Sequence, residues 1–198
     1  DANTTADGNV AVGYNTLTSC TTGSHNTAVG TSSGLAITTG TLNVSMGLSS
    51  LDATTTGSYN VAIGYNTLGA NTTANSNTAV GYNSLAVNTT GTANVAFGFG
   101  SLDANTTANN NTAMGYLSLS TNTTGSENVA VGYQALLTAT TATNNTAVGM
   151  NSLALTTTGA NNTAIGKSAL VANTTGGNNV ALGAQALAAN TTGEANVG

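Results

Sequence analysis

The sequence predicts an all-β protein, a parallel β-solenoid or β-roll in which each 17-residue repeat makes one coil. The first observation is an Asn that recurs every 17 residues from Asn9 to Asn196, without an insertion. The second is the repeat length, which is too short for a helix–turn–helix repeat. The third is a composition of Val, Thr, Gly and Asn, which are poor helix formers, with apolar residues at alternate positions. Stacked at a strand spacing of about 4.8 Å, eleven coils would form a rod about 53 Å long.

The whole chain, residues 1–198, is expected to form a single repeat array without caps. Residues 1–8 are the end of one repeat, residues 9–195 are eleven full repeats, and residues 196–198 begin another. Solenoids normally end in polar capping segments. We therefore expect this sequence to be a segment of a longer array.

We number the columns of the repeat from 1 to 17, starting at its Asn. Columns 1–5 predict a strand, with Val or Thr in column 2 and a large apolar residue in column 4 on one face. That face is predicted to line the core, so that Val80 and Phe97 of column 4 stack directly above one another in the interior. Gly in column 5 is expected to end the strand or allow a tight bend.

Column 3 is Ala in almost every repeat and, on this assignment, points outward. An outward face of small residues favours close contact between chains. We therefore expect a homo-oligomer, preferably a trimer. The alternative is a single-chain solenoid in which column 3 points inward and the pleat is locally irregular.

Columns 8–14 predict a second strand, with a corner of Gly or Ala in column 15. Leu in column 9, Ala in column 11 and Thr in column 13 would share the inner face, and columns 10, 12 and 14 would point outward. Asn in column 1 and Thr in column 13 are expected to form hydrogen-bonded ladders between coils.

The composition excludes several classes of function. Charged residues make up 4% of the chain. There are six acidic residues and one basic residue, Lys167, which gives a net charge of −5. Nucleic-acid binding requires a cluster of basic residues, so we expect no nucleic-acid partner. No apolar run reaches 18 residues, so we expect no membrane insertion.

We expect no catalytic residues, no metal site and no cofactor. Asp52 and Asp103 both fall in column 10, three coils or about 14 Å apart, which exceeds the roughly 5–9.5 Å between paired glycosidase carboxylates. Cys20 and His25 do not recur in other repeats. Calcium-binding repeats need an Asp in every turn, and the turns here carry Asn, Ser and Gly instead.

Column 12 contains repeated N-x-T sequons and is predicted to be exposed. Glycosylation is expected there if the producing cell has the machinery, although Asn and Thr also suit a solvated strand and turn. The candidate acceptors are Asn3, Asn71, Asn88, Asn105, Asn122, Asn173 and Asn190. Further sequons occur at Asn43, Asn110, Asn144 and Asn161.

Column 6 contains an aromatic residue in five successive repeats, namely Tyr65, Tyr82, Phe99, Tyr116 and Tyr133. A stacked column of this kind predicts a structural ladder or part of a contact between chains, or a surface that binds sugars. We call these five residues the aromatic column.

Ice binding is an alternative function, since a rigid, Thr-rich and nearly uncharged solenoid suits it. Ice binding requires a flat outward T-x-T array. The pair predicted to point outward here is N-x-T, from columns 12 and 14, and it is interrupted by Cys20, Ile37 and Ala139.

The pattern N-[TV]-A-[VI]-G-x-x-[SA]-L-x-x-N-T-T-G is most complete in residues 77–91 and 162–176. It resembles repeat tracts of phage tail-fibre-like proteins that carry an endosialidase-type chaperone domain. The pentad at residues 60–64, NVAIG, is similar to the strand motif in the heads of trimeric autotransporter adhesins. Both resemblances imply an extracellular, elongated and trimeric protein.

The function expected from the sequence is therefore structural and not enzymatic. The chain would be a rigid spacer in an extracellular fibre, of a phage tail fibre or of a bacterial surface filament or adhesin stalk. Its expected partner is itself, with cell-surface glycans as a second candidate that the aromatic column would bind.

Overall fold

The computed structural model describes residues 2–198, and Asp1 lies outside the described residues. Each full repeat contributes one strand of three residues, formed by columns 2–4. In chain order the strands are β1 Val10–Val12, β2 Thr27–Val29, β3 Val44–Met46, β4 Val61–Ile63, β5 Thr78–Val80, β6 Val95–Phe97, β7 Thr112–Met114, β8 Val129–Val131, β9 Thr146–Val148, β10 Thr163–Ile165 and β11 Val180–Leu182.

The eleven strands form one parallel sheet in chain order, from β1 to β11. The register is the sequence period itself, because every residue pairs with the residue 17 positions later. Val80 lies opposite Phe97, for example, and Ala79 lies opposite Ala96. The predicted all-β parallel solenoid with one coil per repeat is confirmed.

The predicted inner face of the strands is wrong. Column 3 points into the core, where Ala28, Ala79 and Ala96 are fully buried. Columns 2 and 4 point outward, and Phe97 keeps 56% of its surface exposed. Val80 and Phe97 do lie above one another, but on the outer surface of the sheet. The proposed contact between chains through an outward column 3 is therefore wrong as well.

The short circumference of the coil explains this inversion. A closed turn of 17 residues encloses little space, and the interior contains one large apolar side chain at nearly every level, the Leu of column 9, beside the buried Asn of column 1. Leu85 and Leu102 are fully buried in successive coils, and so are the Ala residues of column 3 in the same two coils. A core filled by columns 2, 4 and 9 together would need room for three large side chains at each level, which close packing does not allow.

The second predicted strand does not form. Columns 8–14 are turns and bends, and the buried Leu of column 9 has a left-handed backbone, as in Leu85 with φ 54°. Column 7 and column 17 have the same conformation in Asn83 and Ala93, with φ of 50° and 56°. Column 12 points inward rather than outward, whereas the Thr of column 14 is exposed as predicted.

Side-chain ladders join successive coils as predicted for columns 1 and 13. The backbone N–H and the Nδ2 of Asn60 donate to Oδ1 of Asn43 over 2.9 and 3.1 Å, and Nδ2 also donates to the Ala74 carbonyl over 2.9 Å. Thr38 Oγ1 donates to the carbonyl oxygen of Thr55 over 3.0 Å. These bonds recur along the array, so that each coil is linked to the next by both backbone and side chains.

Candidate functional site

The outer surface of the sheet, which we call the sheet face, consists of the side chains of columns 2 and 4 in β1–β11. Column 2 contains only Val and Thr, and column 4 contains only Val, Ile, Leu, Met and Phe. None of these side chains is buried. The sheet face is therefore an uncharged and mainly apolar surface that extends through all eleven coils.

The alternation of apolar residues predicted that the sheet face lies in the core, although one feature of the sequence indicates that it is a surface. Column 4 varies in size from Val80 to Phe97, whereas column 3 is almost always Ala. A close-packed interior tolerates such changes in volume poorly. The uniform small column was therefore the better candidate for the interior, and the variable large column was the better candidate for the surface.

The aromatic column follows the Gly of column 5, where the backbone bends at the end of each strand. Tyr65 and Tyr82 stack with a centroid separation of 5.0 Å, and Tyr116 and Tyr133 stack at 5.3 Å. The two intermediate pairs, which share Phe99, have separations of 5.1 and 5.3 Å. All five side chains are between 44% and 49% exposed. Each ring covers the face of the next, and Leu48 and Met150 occupy the same column in the coils beyond the two ends. The ring edges are therefore what a ligand could contact.

Most asparagines of column 12 are buried, which contradicts their prediction as exposed glycosylation sites. Asn105 Nδ2 donates to Asn88 Oδ1 over 2.8 Å and to the Ala108 carbonyl over 3.2 Å. Five of the seven predicted acceptors have no exposed surface, namely Asn71, Asn88, Asn105, Asn122 and Asn173. Asn3 is exposed and Asn190 is partly buried. A glycan on a column 12 amide in the middle of the array would have to displace the core.

Exposed sequons occur in column 17 instead. Asn110, Asn144 and Asn161 are exposed at a corner of the coil and have a φ between 57° and 59°. Each is followed two residues later by a Thr of the sheet face. The fourth additional sequon, at Asn43, is in the buried ladder of column 1.

The outward N-x-T array considered for ice binding is not formed, because column 12 points inward. Column 14 remains as one exposed row of Thr, which is present in every coil. Such a row lacks the second outward row of a flat T-x-T surface.

Among residues 2–198, the ionisable and thiol groups lie apart from one another, except for His25 and Asp7. Cys20 is buried, its thiol donates to the Gly23 carbonyl over 3.1 Å, and burial raises the pKa of this thiol. Beside it lies a half-open cavity of about 210 Å³, also lined by Asn9 and Leu17. His25 Nε2 lies 3.9 Å from the Asp7 carboxylate at an exposed position. Residues 2–198 hold no cluster of three or more potential metal-binding side chains.

Within residues 2–198, no helix has the length and apolar character needed to cross a bilayer. No family model matches the chain, and comparisons with curated proteins and with solved structures give no significant match. The function therefore has to follow from the surfaces and the construction of the coil stack.

Proposed function

We propose that this chain is a structural repeat segment of an extracellular fibre, acting as a rigid spacer in a phage tail fibre or in a bacterial surface filament or adhesin stalk. The proposed role is mechanical and involves no catalysis. The observation that carries it is the uninterrupted stacking of eleven coils, in which every strand pairs with the next in one register.

Rigidity follows from how many bonds join each pair of coils. Between the fourth and fifth coils, Thr78 and its neighbours in β5 pair with β4 in the sheet. In column 1, the Asn77 N–H donates to Asn60 Oδ1 over 3.0 Å. In column 13, Thr72 Oγ1 donates to the Thr89 carbonyl over 3.3 Å. Bending the rod in any direction would stretch bonds on its outer side and compress contacts on its inner side. In a solenoid these contacts between neighbouring repeats provide the stability.

An extracellular fibre must also resist proteolysis. Residues 2–198 pair most of their backbone between adjacent coils, so few segments are free to enter a protease. One Lys and no Arg leave trypsin almost nothing to cut. We propose that copies of the chain associate side by side as a homotrimer, which would stiffen the fibre further.

Length measurements on a series of repeat numbers test the mechanical role. Chains with eight, eleven and fourteen repeats should form rods that lengthen by about 4.8 Å for each added repeat, as seen by electron microscopy. Resistance to a protease of broad specificity should persist in all three. Compact particles whose length does not follow the number of repeats would contradict the proposal.

Adhesion to cell-surface glycans is a second candidate role, favoured by the exposure of the aromatic column. Sugars would contact the ring edges and the Tyr hydroxyls. Glycan-array binding that is lost in a Tyr82→Ala and Tyr116→Ala variant would support adhesion. The matched control is Tyr59→Ala, because Tyr59 is exposed in column 17, outside the stack. Ice binding would be supported instead by thermal hysteresis of the unmodified chain, and its absence would remove that alternative.

A further inference from the structure

We infer that the sheet face is the surface through which copies of this chain associate, with their long axes parallel. This inference rests on the proposed fibre role and names the contact surface. It replaces the small-residue contact expected from the sequence, which the burial of column 3 excludes.

The composition of the sheet face is typical of a buried interface. Columns 2 and 4 contribute no charged residue in any of the eleven strands. Large apolar side chains remain exposed at many levels, including Ile63, Phe97, Met114 and Ile165. Monomeric proteins rarely leave a continuous apolar patch larger than a few hundred Å² in contact with water, and larger patches usually mark association sites.

The area of the sheet face matches what a stable complex requires. It contains two side chains in each of eleven strands. Ten of these twenty-two side chains are exposed and the other twelve are partly buried. At an average of roughly 40 Å² of apolar surface for each side chain, the whole face offers about 900 Å². A standard stable interface covers about 800 Å² on each partner, and each chain of a trimer would bury a total of that order against its two neighbours together.

The spacing of the side chains favours a second copy over an unrelated partner. The apolar side chains recur at every coil, at a strand spacing of about 4.8 Å. A second copy has the same spacing, so two faces with parallel axes can interdigitate at every level. A nucleic acid or an anionic surface would require positive charges, which the face lacks.

Polar groups on the sheet face are also compatible with burial against another copy. Five strands carry Thr in column 2, namely β2, β5, β7, β9 and β10. These Thr residues are partly exposed. The methyl group of each side chain can pack against the second copy. Within a parallel assembly around a common axis, each Thr meets the same Thr of its neighbour, and hydroxyl groups can both donate and accept.

Substitution of Phe97 tests the inference directly. In a parallel assembly around a common axis, Phe97 of one copy lies near Phe97 of the next. A Phe97→Glu variant therefore places like charges together in an apolar contact. Sedimentation velocity of the full 198-residue chain should show the unmodified protein as an oligomer, three chains under the proposed trimer. The variant should sediment as the single 19.1 kDa chain.

The matched control is Val87→Glu. Val87 is an exposed apolar residue of column 11, outside the sheet face, and is 44% exposed. This variant should keep the mass of the unmodified oligomer. Circular dichroism should show the same β signal in all three proteins, because neither residue is buried. A milder double variant, Val80→Thr with Phe97→Thr, should weaken association at least tenfold. This double variant tests the inference even if the Phe97→Glu variant does not fold.

A rescue experiment distinguishes direct contact from an indirect effect. A Phe97→Lys variant should be monomeric alone, and mixing it with Phe97→Glu should restore a mixed oligomer. The inference is overturned if the unmodified chain is a monomer at micromolar concentration, or if Phe97→Glu keeps the unmodified mass. The fibre role is tested separately, by the series of repeat numbers. If rod length still follows repeat number, the fibre role stands even when this inference fails. If rod length does not follow repeat number, the fibre role itself is overturned.

Discussion

The side chain of Ile37 fills the interior space that Gly34 leaves in the second coil. Gly34 stands in column 9, where the other full repeats have Leu, and a Cβ placed on it would lie 3.1 Å from Ile37 Cδ1. Ile37 replaces the usual polar residue of column 12 and is fully buried. The coil therefore keeps one large apolar side chain, but supplies it from another position.

This exchange predicts a strong coupling between the two positions. Gly34→Leu alone should overpack the coil and destabilise by about 1–3 kcal/mol. Ile37→Asn alone should leave a cavity and destabilise by about 2–4 kcal/mol. The double variant restores the arrangement of the neighbouring repeats, so chemical denaturation should give a stability close to that of the unmodified chain. Losses that simply add in the double variant would contradict the exchange.

The Gly of column 5 should be intolerant of a side chain. Gly132 has a φ of 137°, and a Cβ on it would lie 2.6 Å from the Gly149 carbonyl oxygen in the next coil. Gly132→Ala should therefore lower the free energy of unfolding by about 2 kcal/mol or more, through strain and displacement of the adjacent coil. The control is Gly69→Ala, whose close contact would be with the Asn66 side chain, which can move, while the nearest backbone atom is the Asn66 carbonyl oxygen at an ordinary 3.6 Å. Equal losses of stability in the two variants would count against this account.

The Asn ladder of column 12 can be extended to improve stability. Asn122 Oδ1 is buried and lacks a hydrogen-bond partner among residues 2–198, because the next coil has Ala139 in this column. A chain with Ala139→Asn and Thr156→Asn should continue the ladder from Asn122 to Asn173. Satisfying a buried acceptor is expected to add about 1–2 kcal/mol. Thermal unfolding should then shift upward by a few degrees, and a downward shift would show that these coils cannot accept the larger side chain.

Asp103 should make stability depend on pH. Burial raises the pKa of this carboxyl, although hydrogen bonds from the backbone N–H groups of Asp103 and Ala104 partly oppose the shift. A raised pKa means that the folded state binds the proton more tightly. The contribution to stability is therefore greatest below the unfolded value of about 3.9 and decreases as the pH rises through the folded pKa.

Asp103→Asn should consequently be more stable than the unmodified chain at pH 7, and the difference should shrink toward pH 3. Denaturant unfolding at the two pH values measures this. Asp52→Asn should behave in the same way, because burial also raises the pKa of Asp52. A variant that is less stable than the unmodified chain at pH 7 would reverse the expected sign.

Glycosylation of the folded chain should follow exposure rather than the number of sequons. An oligosaccharyltransferase acting on folded protein should modify Asn110, Asn144 and Asn161, and should leave Asn88 and Asn105 unmodified. Intact mass and peptide mapping after digestion with a protease of broad specificity can assign the sites. Thr112→Ala should abolish modification at Asn110 alone. Occupancy of Asn88 in the folded chain would contradict its burial.

The 17-residue period was sufficient to predict the solenoid and its register. The repeat runs from Asn9 to Asn196 without an insertion. Each residue is therefore expected to pair with the residue in the same column of the next coil. The Asn and Thr ladders could be predicted too, because a polar side chain repeated at every level can bond to its own copies. The sequence by itself therefore determined which residues stack on one another in successive coils.

The tertiary structure alone decided which columns point inward. Strand alternation defines two faces, and the apolar character of Val80 and Phe97 favoured the wrong one. The interior of so short a coil holds one Leu, the Asn side chains of the ladders and small residues, so Ala79 lies inside and its larger neighbours lie outside. The left-handed backbone of Leu85 likewise has no local signal, since Leu rarely adopts it without support from packing. Whether a column points inward or outward depends on the volume that the closed coil encloses. That volume is a property of the whole 17-residue turn and not of any five-residue pattern within it.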